Sequence, residues 1–460
     1  MERAEPVTDA QNQASLTTWL SVALTLGCFS VVMSATTINV AITPMMQDLD
    51  LGPQVAQLFS SVFLGLTVVV APISAWLADK FGAWRVFLSV LLFYVISSVA
   101  GLFVESFSML LAIRICQGVC AGIVQPLSMF LLLECTPPHR RGRALSMFGL
   151  GVVMAPALGP AIAGWVVDHA GWQSVFVLGA PPALLAMFVA LLGLDKEADE
   201  RGAGYSIDFD WRGVSYLAVL VFAVFGWPFV LDWSPWASGA YAFSWLLACK
   251  RFWAGQCRRE NSVIPTALFA VPAFRRAALI TFFYGIGMYG SIFLIPLLLQ
   301  DGLGVSASMT GNLLLVGGIA LAVSISVSGR LVDRYSSKHI LTAGMASFML
   351  SCLLFSMSTN LVVLTLAIAI SRVGLGAIIP SLYSAMAQTV GAKELRQATS
   401  MTTFLRQGGG SLGIVVIGVA VSWLSLVFGP AYAGSANQYA VLFVVLAALF
   451  ASGALMARKL

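Results

Sequence analysis

Long apolar stretches follow one another along the whole chain, and short polar connectors separate them. Each stretch has close to the ~20 residues that a helix needs to cross about 30 Å of hydrocarbon. Lipid offers no water to backbone N–H and C=O groups, so such stretches are expected to be helices. The pattern predicts fourteen spans, at 18–45, 56–77, 86–103, 109–133, 145–166, 173–194, 213–231, 236–249, 277–299, 308–329, 339–357, 361–386, 400–427 and 437–457.

The composition supports a protein embedded in lipid. The chain is 59% hydrophobic and 10% charged, whereas a soluble globular protein has about 25% charged residues. We therefore expect an all-α polytopic membrane protein, acting as a monomer on a small-molecule substrate, with no metal and no cofactor. The net charge of +5 does not indicate nucleic-acid binding, because the cations lie in short connectors, where they set membrane orientation.

The placement of Lys and Arg predicts which ends of the spans face the cytoplasm. Of 25 such residues, all but Arg114, Arg372 and Arg406 fall at the N-terminus, in the even-to-odd connectors or at the C-terminus. Because cations mark the cytoplasmic side, we expect an inner-membrane protein with both termini in the cytoplasm. The eighth span is the shortest, because Lys250 and Arg251 follow it directly; to cross fully, it would have to include both.

A shift of 254 residues partly matches the chain with itself. Three separated regions agree: Leu77 and Asp79 with Leu331 and Asp333, Ala144 and Ser146 with Ala398 and Ser400, and Gly159 with Gly413. Two homologous halves around a central substrate site are a known transporter plan. The offset exceeds the length of six spans and leaves room for two inserted helices. We expect a tail at 1–17, a six-helix bundle at 18–194, an acidic linker with two helices at 195–260, and a second six-helix bundle at 261–460.

Six short motifs in order carry a resemblance to a known family. They are "TTINVAI" at 36–42, "ADKFGAWR" at 78–85, "RICQGVCAG" at 114–122, "APALGPAIAG" at 155–164, "DFDWRG" at 208–213 and "GRLVDRYSSKH" at 329–339. Along nearly its full length the chain resembles the major facilitator superfamily, and within it the fourteen-helix drug/proton antiporters. The resemblance implies two six-helix bundles plus two inserted helices, alternating access and proton-coupled efflux.

The charged connectors after spans two and ten resemble the family's conformational latch, which fastens the cytoplasmic side. A carboxylate there can face a helix N-terminus or pair with nearby cations, each contact contributing about 0.3–2 kcal/mol. The alternative is that these charges only set topology and turn geometry. The candidate latch residues are Asp79, Lys80, Gly82, Arg85, Gly329, Asp333 and Arg334.

Three arginines lie inside predicted spans, where a charge is costly and normally faces a cavity or a partner. Arg114 has Gln117 one turn away as a possible hydrogen-bond partner, and the resemblance implies a role in proton relay or pocket shape. Snorkelling to the interface is the alternative. Arg372 is its analogue in span twelve, and Arg406, near the inner end of span thirteen, could be an anchor.

The fifth span combines Pro156, Gly159, Pro160 and Gly164. Small residues let helix backbones approach closely in lipid, and proline permits a bend. Proline and glycine are also ordinary residues of membrane helices. In the resembling family, this helix lines the interface between the halves and marks exporters.

Proton coupling needs a group that titrates, and no Asp, Glu or His falls at mid-depth of a predicted span. In the helix 1 motif, which includes Thr36 and Asn39, Ser34 stands where the family usually has an acid. We expect coupling to use Glu134 or Asp79, and an acid-free cavity with arginines to prefer neutral or anionic substrates.

Aromatic and flexible apolar side chains suit varied apolar ligands. The candidates for the substrate cavity are Trp227, Phe283, Tyr284, Met288, Tyr289 and Tyr383. Packing or lipid contact is the alternative for each of them.

We therefore predict a secondary active transporter that exports small amphipathic compounds. An importer or facilitator of one metabolite is the second interpretation, favoured by the missing acid. An integral membrane enzyme would need clustered reactive side chains at one depth, and the sequence shows no such cluster. The sequence contains no Walker-type loop, so it gives no indication of direct use of ATP.

The orientation can be tested with reporter fusions. A reporter that is active only in the cytoplasm should be active at both termini, because the cations avoid the opposite side. The same reporter inserted beside Glu105 should be inactive. Opposite exposure of the two termini would contradict the assigned topology.

Overall fold

The computed structural model describes residues 7–136, 141–193, 209–231, 234–259, 263–264, 266–332, 334–389, 392–429 and 434–460. Fourteen long helices occur within these residues, and the prediction of an all-α protein with fourteen spans is confirmed. They are α1 (Val7–Asp48), α2 (Leu58–Phe81), α3 (Ala83–Ala100), α4 (Phe107–Cys135), α5 (Arg141–Ala170), α6 (Ala180–Gly193), α7 (Trp211–Leu231), α8 (Pro235–Gln256), α9 (Pro272–Leu297), α10 (Ala307–Val332), α11 (Ser337–Met357), α12 (Leu361–Thr389), α13 (Ala392–Phe428) and α14 (Ala436–Ala457).

Short helical segments extend several of the long helices. Trp172–Gly179 is a 3₁₀-helix that leads into α6, and Leu298–Gly302 is a π-helical turn that continues α9. The α-helical part of the sixth span begins only at Ala180. Pro181 and Pro182 follow directly, and proline is tolerated in a first turn but cannot donate a hydrogen bond to a preceding one. Within the described residues, eleven helical stretches are long and apolar enough to cross a membrane.

Several helices extend beyond their predicted spans, and α1 begins at Val7 rather than at residue 18. The eighth span was expected to end at residue 249, but α8 continues through Lys250 and Arg251 to Gln256. Both cations are exposed, so their long side chains can reach water without breaking the helix. The thirteenth span was expected to begin at residue 400, whereas α13 begins at Ala392.

The two sets of six helices pack in the same way. In the first set α1 packs on α5 and α2 on α4; in the second set α9 packs on α13 and α10 on α12. The sets meet along two seams, one between α5 and α10 and the other between α2 and α13. A shift of 254 residues relates each helix pair of the first set to the matching pair of the second set, and it relates one seam to the other.

The α5–α10 seam is a contact between backbones. A Cβ added at Gly164 would clash with the carbonyl oxygen of Ala307, and one added at Gly311 would clash with that of Pro160. At the end of the seam, the Asp168 carboxylate accepts the backbone N–H of Ser308 at 2.8 Å. Ser308 lies in the first turn of α10, where a negative charge is favourable. This close approach depends on the absence of side chains at the two glycines.

The α2–α13 seam is filled by side chains and covered by the inserted helix α7. Val224 and Phe225 of α7 form one apolar cluster with residues of α2 and α13. Gly65 of α2 makes room for the Phe225 ring, since an added Cβ would overlap it. The hydroxyl of Ser411 in α13 also donates to the backbone carbonyl of Ser61 at 2.9 Å. The inserted helix α7 therefore contacts both halves.

Asp210 fastens the start of α7 to the end of α8. Its carboxylate accepts the Gly213 N–H at 2.8 Å, the Arg259 guanidinium at 2.6 Å and the Gln256 amide at 3.4 Å. Partial burial raises the pKa of Asp210, but these hydrogen bonds and the Arg259 charge outweigh it and hold the pKa below its usual value. The next residue, Trp211, packs edge-on against Trp76 of α2 at 4.9 Å between ring centroids.

The α5–α10 seam can be tested by adding a single methyl group. Gly164→Ala should lower the melting temperature of the detergent-solubilised protein, because the added Cβ forces the backbones apart at a cost of about 1–3 kcal/mol. Gly149→Ala is the matched control in the same helix, since no described atom lies within 4 Å of its added Cβ. Melting can be followed with a thiol-reactive dye that reports buried cysteines. Equal melting temperatures for the two variants would contradict the close contact.

Candidate transport pathway

Arg114 is the fully buried centre of a contact between three helices, with 0% of its surface exposed. Its Nε donates to the Phe59 carbonyl of α2 at 2.7 Å, and Nη1 donates to Oε1 of Gln117 at 2.9 Å. Nη1 also lies 3.3 Å from both the carbonyl and the hydroxyl of Ser34 in α1. The Phe63 ring is 4.4 Å from the guanidinium carbon. The cation therefore connects α4 with α1 and α2.

This burial rules out snorkelling to the interface for Arg114. Its partners are carbonyl, amide and hydroxyl groups, and among the described residues no carboxylate is paired with it. Its Nη2 is buried without a hydrogen-bond partner there. A carboxylate side chain at position 34 would contact the Arg114 guanidinium directly, because the Ser34 hydroxyl lies 3.3 Å from Nη1. The Ser34 side chain therefore offers Arg114 a hydroxyl and no titratable group at this point.

The other two helix 1 motif residues have separate contacts. Asn39 accepts the Ser60 hydroxyl of α2 at 2.8 Å and donates to backbone carbonyls of its own helix. The Thr36 hydroxyl donates to the Met33 carbonyl at 3.0 Å. Thr36 also faces α5, where an added Cβ at Gly159 would lie 3.1 Å from its oxygen. This part of α1 thus packs between α2 and the proline-containing helix.

The four residues of the helix 5 motif lie where α5 passes between α1 and α10. Gly159 faces α1, whereas Pro160 and Gly164 face α10. Pro156 and Pro160 line a small cavity between the two halves of the chain. The motif is therefore at the contact between the halves, and its role in export stays a prediction.

Arg372 lines this same cavity from α12 and is 5% exposed. Its stem packs on α10, where a Cβ added at Gly317 would lie 3.0 Å from Cγ. Tyr284 of α9 lies close enough for an electrostatic interaction. No hydrogen bond or ion pair to Arg372 occurs in the part of the chain that the structure describes. The remaining lining residues are Thr36, Met288, Ile292, Leu314, Gly318 and Leu321.

Arg406 lies deeper in its helix than its position in the predicted span suggested. Because α13 begins at Ala392, Arg406 is about 21 Å from the start of the helix. Its Nη1 donates to the Tyr289 hydroxyl of α9 at 3.1 Å. The next residue, Gln407, donates to Oε1 of Gln125 in α4 at 3.2 Å. Arg406 therefore has a partner inside the bundle and is placed beside a contact between the halves.

The aromatic candidates are divided among different places. Tyr284, Met288 and Tyr289 of α9 lie near the arginines Arg372 and Arg406, as described above. Phe283 points within the second half, 3.7 Å from an added Cβ at Gly453 of α14.

One of the aromatic candidates lies away from the cavity. Trp227 donates its indole N–H to the Ser238 hydroxyl at 2.7 Å, which joins α7 to α8. Trp227 is not among the residues that line the cavity between α5 and α10, and its role in substrate binding stays a prediction. The side chain of Tyr383 lies outside the described residues.

The candidate latch residues lie at the predicted cytoplasmic helix ends. Gly82 has a φ of 89° at the reversal between α2 and α3, a conformation that favours glycine. The Lys80 ammonium lies 4.8 Å from the Trp76 ring centroid, and Arg85 is exposed in the first turn of α3. Asp79 is half-buried, and no hydrogen bond or ion pair of its carboxylate is found among the described residues.

The second connector is described only in part. Gly329 lies in α10, and no described atom is within 4 Å of its added Cβ. Arg334 is exposed in the following turn, and Asp333 lies outside the described residues. Glu134 belongs to the last turn of α4, but its side chain is outside the described part. The roles of these residues remain predictions.

Sequence reasoning missed the amides that join the two halves. Besides the Gln407–Gln125 pair, Gln300 donates to the Val40 carbonyl of α1 at 3.0 Å. The usable signal is a glutamine in or beside an apolar stretch, because an amide in hydrocarbon needs a hydrogen-bond partner.

Sequence comparison identifies related membrane proteins. The profile described as Major Facilitator Superfamily matches residues 24–257 and 277–460. The multidrug transporter protein MdtP of Bacillus subtilis (strain 168) is 27% identical over 421 residues, which cover 90% of this chain and 76% of that protein. The methylenomycin A resistance protein of Streptomyces coelicolor (strain ATCC BAA-471 / A3(2) / M145) is 27% identical over 410 residues, covering 87% and 84%.

Solved structures share the fold at low sequence identity. A bacterial homolog of the human lysosomal transporter Spinster, inward-facing and unoccupied, has a TM-score of 0.68 at 18% identity, with 96% of this chain and 98% of that chain covered. A POT family transporter in complex with 5-aminolevulinic acid has a TM-score of 0.70 at 16% identity, with 96% of each covered. These likenesses show the fold alone.

The Arg114 contact predicts a large stability effect. Arg114→Gln should lower the melting temperature, because the Phe59 carbonyl and its neighbours lose their donor at about 1–3 kcal/mol for each unsatisfied buried group. Arg330→Gln is the control, since Arg330 is exposed near the end of α10. Melting of both variants at the wild-type temperature would show that the buried contact contributes nothing.

Proposed function

The chain belongs to the Major Facilitator Superfamily, and from this premise we propose that it exports small amphipathic compounds across the inner membrane by alternating access. It is a multi-pass membrane transporter, and the direction and coupling of transport are the proposed parts. Both termini are assigned to the cytoplasm on the distribution of Lys and Arg.

The observation that carries the proposal is the position of the helix 5 motif. Gly164 brings α5 into backbone contact with Ala307 of α10, and Pro156 and Pro160 line the cavity between the halves. Small residues at a helix contact let two rigid bundles approach closely and separate without unlocking large side chains. The names of the relatives support export, since they include a multidrug transporter and an antibiotic resistance protein.

The driving force is proposed to be the proton gradient, acting through Asp79 or Glu134. These acids lie near the cytoplasmic ends of α2 and α4. A carboxylate that titrates there would change its interactions with nearby cations and helix ends. The candidate is supported by elimination, because the sequence places no Asp, Glu or His at mid-depth of a predicted span.

A facilitator of one metabolite is the second candidate function. It is favoured by Ser34, which occupies the position beside Arg114 from which an acid could titrate. Such a transporter would move its substrate down a gradient and would not respond to a protonophore.

Transport in inside-out vesicles tests the proposal. Compounds chosen from a growth-inhibition panel, with and without the protein, should accumulate inside the vesicles when a proton gradient is imposed. A protonophore should abolish the accumulation, and Asp79→Asn or Glu134→Gln should make transport independent of the gradient. Glu105→Gln is the control, because Glu105 is exposed in the connector after α3.

Two results would reject parts of this proposal. Accumulation only in right-side-out vesicles would replace export by uptake. Gradient-dependent transport that persists when both Asp79→Asn and Glu134→Gln are present would exclude these two carboxylates as the coupling groups.

A further inference from the structure

Arg372 differs from the other arginines inside the spans. Arg114 donates hydrogen bonds to three residues, and Arg406 donates to Tyr289. Arg372 is 5% exposed, and its guanidinium makes no hydrogen bond or ion pair to any residue that the structure describes. A buried cation without a partner is costly, so its position calls for a partner that no described residue supplies.

The place of Arg372 in the fold is where a transported molecule would contact both halves. The cavity is bounded by Thr36 of α1 and Pro156 of α5 on one side, and by Met288 of α9 and Leu314 of α10 on the other. Arg372 is the single charged residue among the described lining residues. A ligand bound to it would therefore be held by the second half while touching the first.

The chemistry of the lining defines the ligand class. A guanidinium presents a planar fork of donors that matches a carboxylate, a sulfonate or a phosphate. The rest of the lining is apolar apart from Thr36, and the hydroxyl hydrogen of Thr36 is donated to Met33. An acid that could repel an anion is missing from the described lining. The surroundings fit one anionic group on an apolar body.

The cavity is too small in this conformation for a whole drug-like molecule. The anionic group alone would occupy it, and the apolar body would need the halves to separate at the α5–α10 seam. Gly164 and Gly311 hold this seam closed by direct backbone contact. Binding at Arg372 is thus coupled to the seam that alternating access has to open.

We propose that Arg372 is the anion-binding residue of the central cavity and that the exported compounds are amphipathic anions. This inference rests on the proposed export function and specifies its substrate class. It differs from a general preference for apolar drugs, because it requires a specific charge on the ligand and assigns recognition to one side chain.

Binding of three matched probes tests the inference. The probes are 1-naphthylacetate, 2-(1-naphthyl)ethanol and 1-naphthylmethylammonium, which share an apolar ring and differ in charge. Isothermal titration with the protein in lipid nanodiscs, with empty nanodiscs as the blank, should show the anion binding at least about tenfold more tightly than the alcohol, equal to about 1.4 kcal/mol. The ammonium compound should bind more weakly than the alcohol.

Variants then assign this preference to one residue. Arg372→Gln should bring the affinities for the anion and the alcohol to within about threefold of each other, since the charge-assisted hydrogen bonds are lost. Arg372→Lys should still prefer the anion, and it serves as the folded alternative if the glutamine variant does not assemble. Arg330→Gln, which changes the net charge equally at an exposed site, should keep the wild-type preference.

Equal affinity for the three probes, a preference for the ammonium compound, or no binding of any probe to the wild-type protein would overturn the inference. An unchanged preference in Arg372→Gln would overturn it as well. The same experiments distinguish failure of the proposed export function from failure of the anion-binding site. If anion binding depends on Arg372 but no compound accumulates in inside-out vesicles, the site is correct and export is wrong; if an amine is exported without Arg372, export is correct and the site is wrong.

Discussion

A charged side chain inside hydrocarbon needs a partner or an aqueous cavity, and this constraint explains where the charges of the protein lie. Arg114 satisfies it by drawing α1 and α2 onto α4. The described acids satisfy it at helix ends, as Asp168 does at the start of α10. Arg372 is placed in a cavity between the halves without such a partner. The cavity between the halves therefore has one cationic residue among its described lining residues.

The two seams between the halves have different physical characters. The α5–α10 seam is a backbone contact that small residues make possible, so it can open without moving large side chains. The α2–α13 seam is filled by apolar side chains, and Val224 and Phe225 of α7 lie across it. Separation of α2 from α13 must therefore expose one face of α7. The inserted helices are thus part of the packing between the halves as well as an addition to their number.

Much of the fold could be predicted because its signals are local. A stretch of about 20 apolar residues forms a helix wherever lipid surrounds it. The eighth span was predicted too short because exposed Lys250 and Arg251 can extend to water from within a helix. The placement of Trp227 could not be predicted, because an aromatic residue in an apolar helix looks the same whether it faces a cavity, a neighbouring helix or lipid.

The sequence by itself determined the number of helices, the two related halves, the absence of an acid at mid-depth of a predicted span and the three arginines inside the spans. Periodicity and charge depend only on the order of residues along the chain. The tertiary structure alone decided that Arg114 donates hydrogen bonds to residues of α1, α2 and α4 while Arg372 makes none with the described residues. It also decided that α7 covers one seam while glycines close the other. Those properties depend on which side chains from distant helices meet, and distances in space are not encoded in the pattern of any single helix.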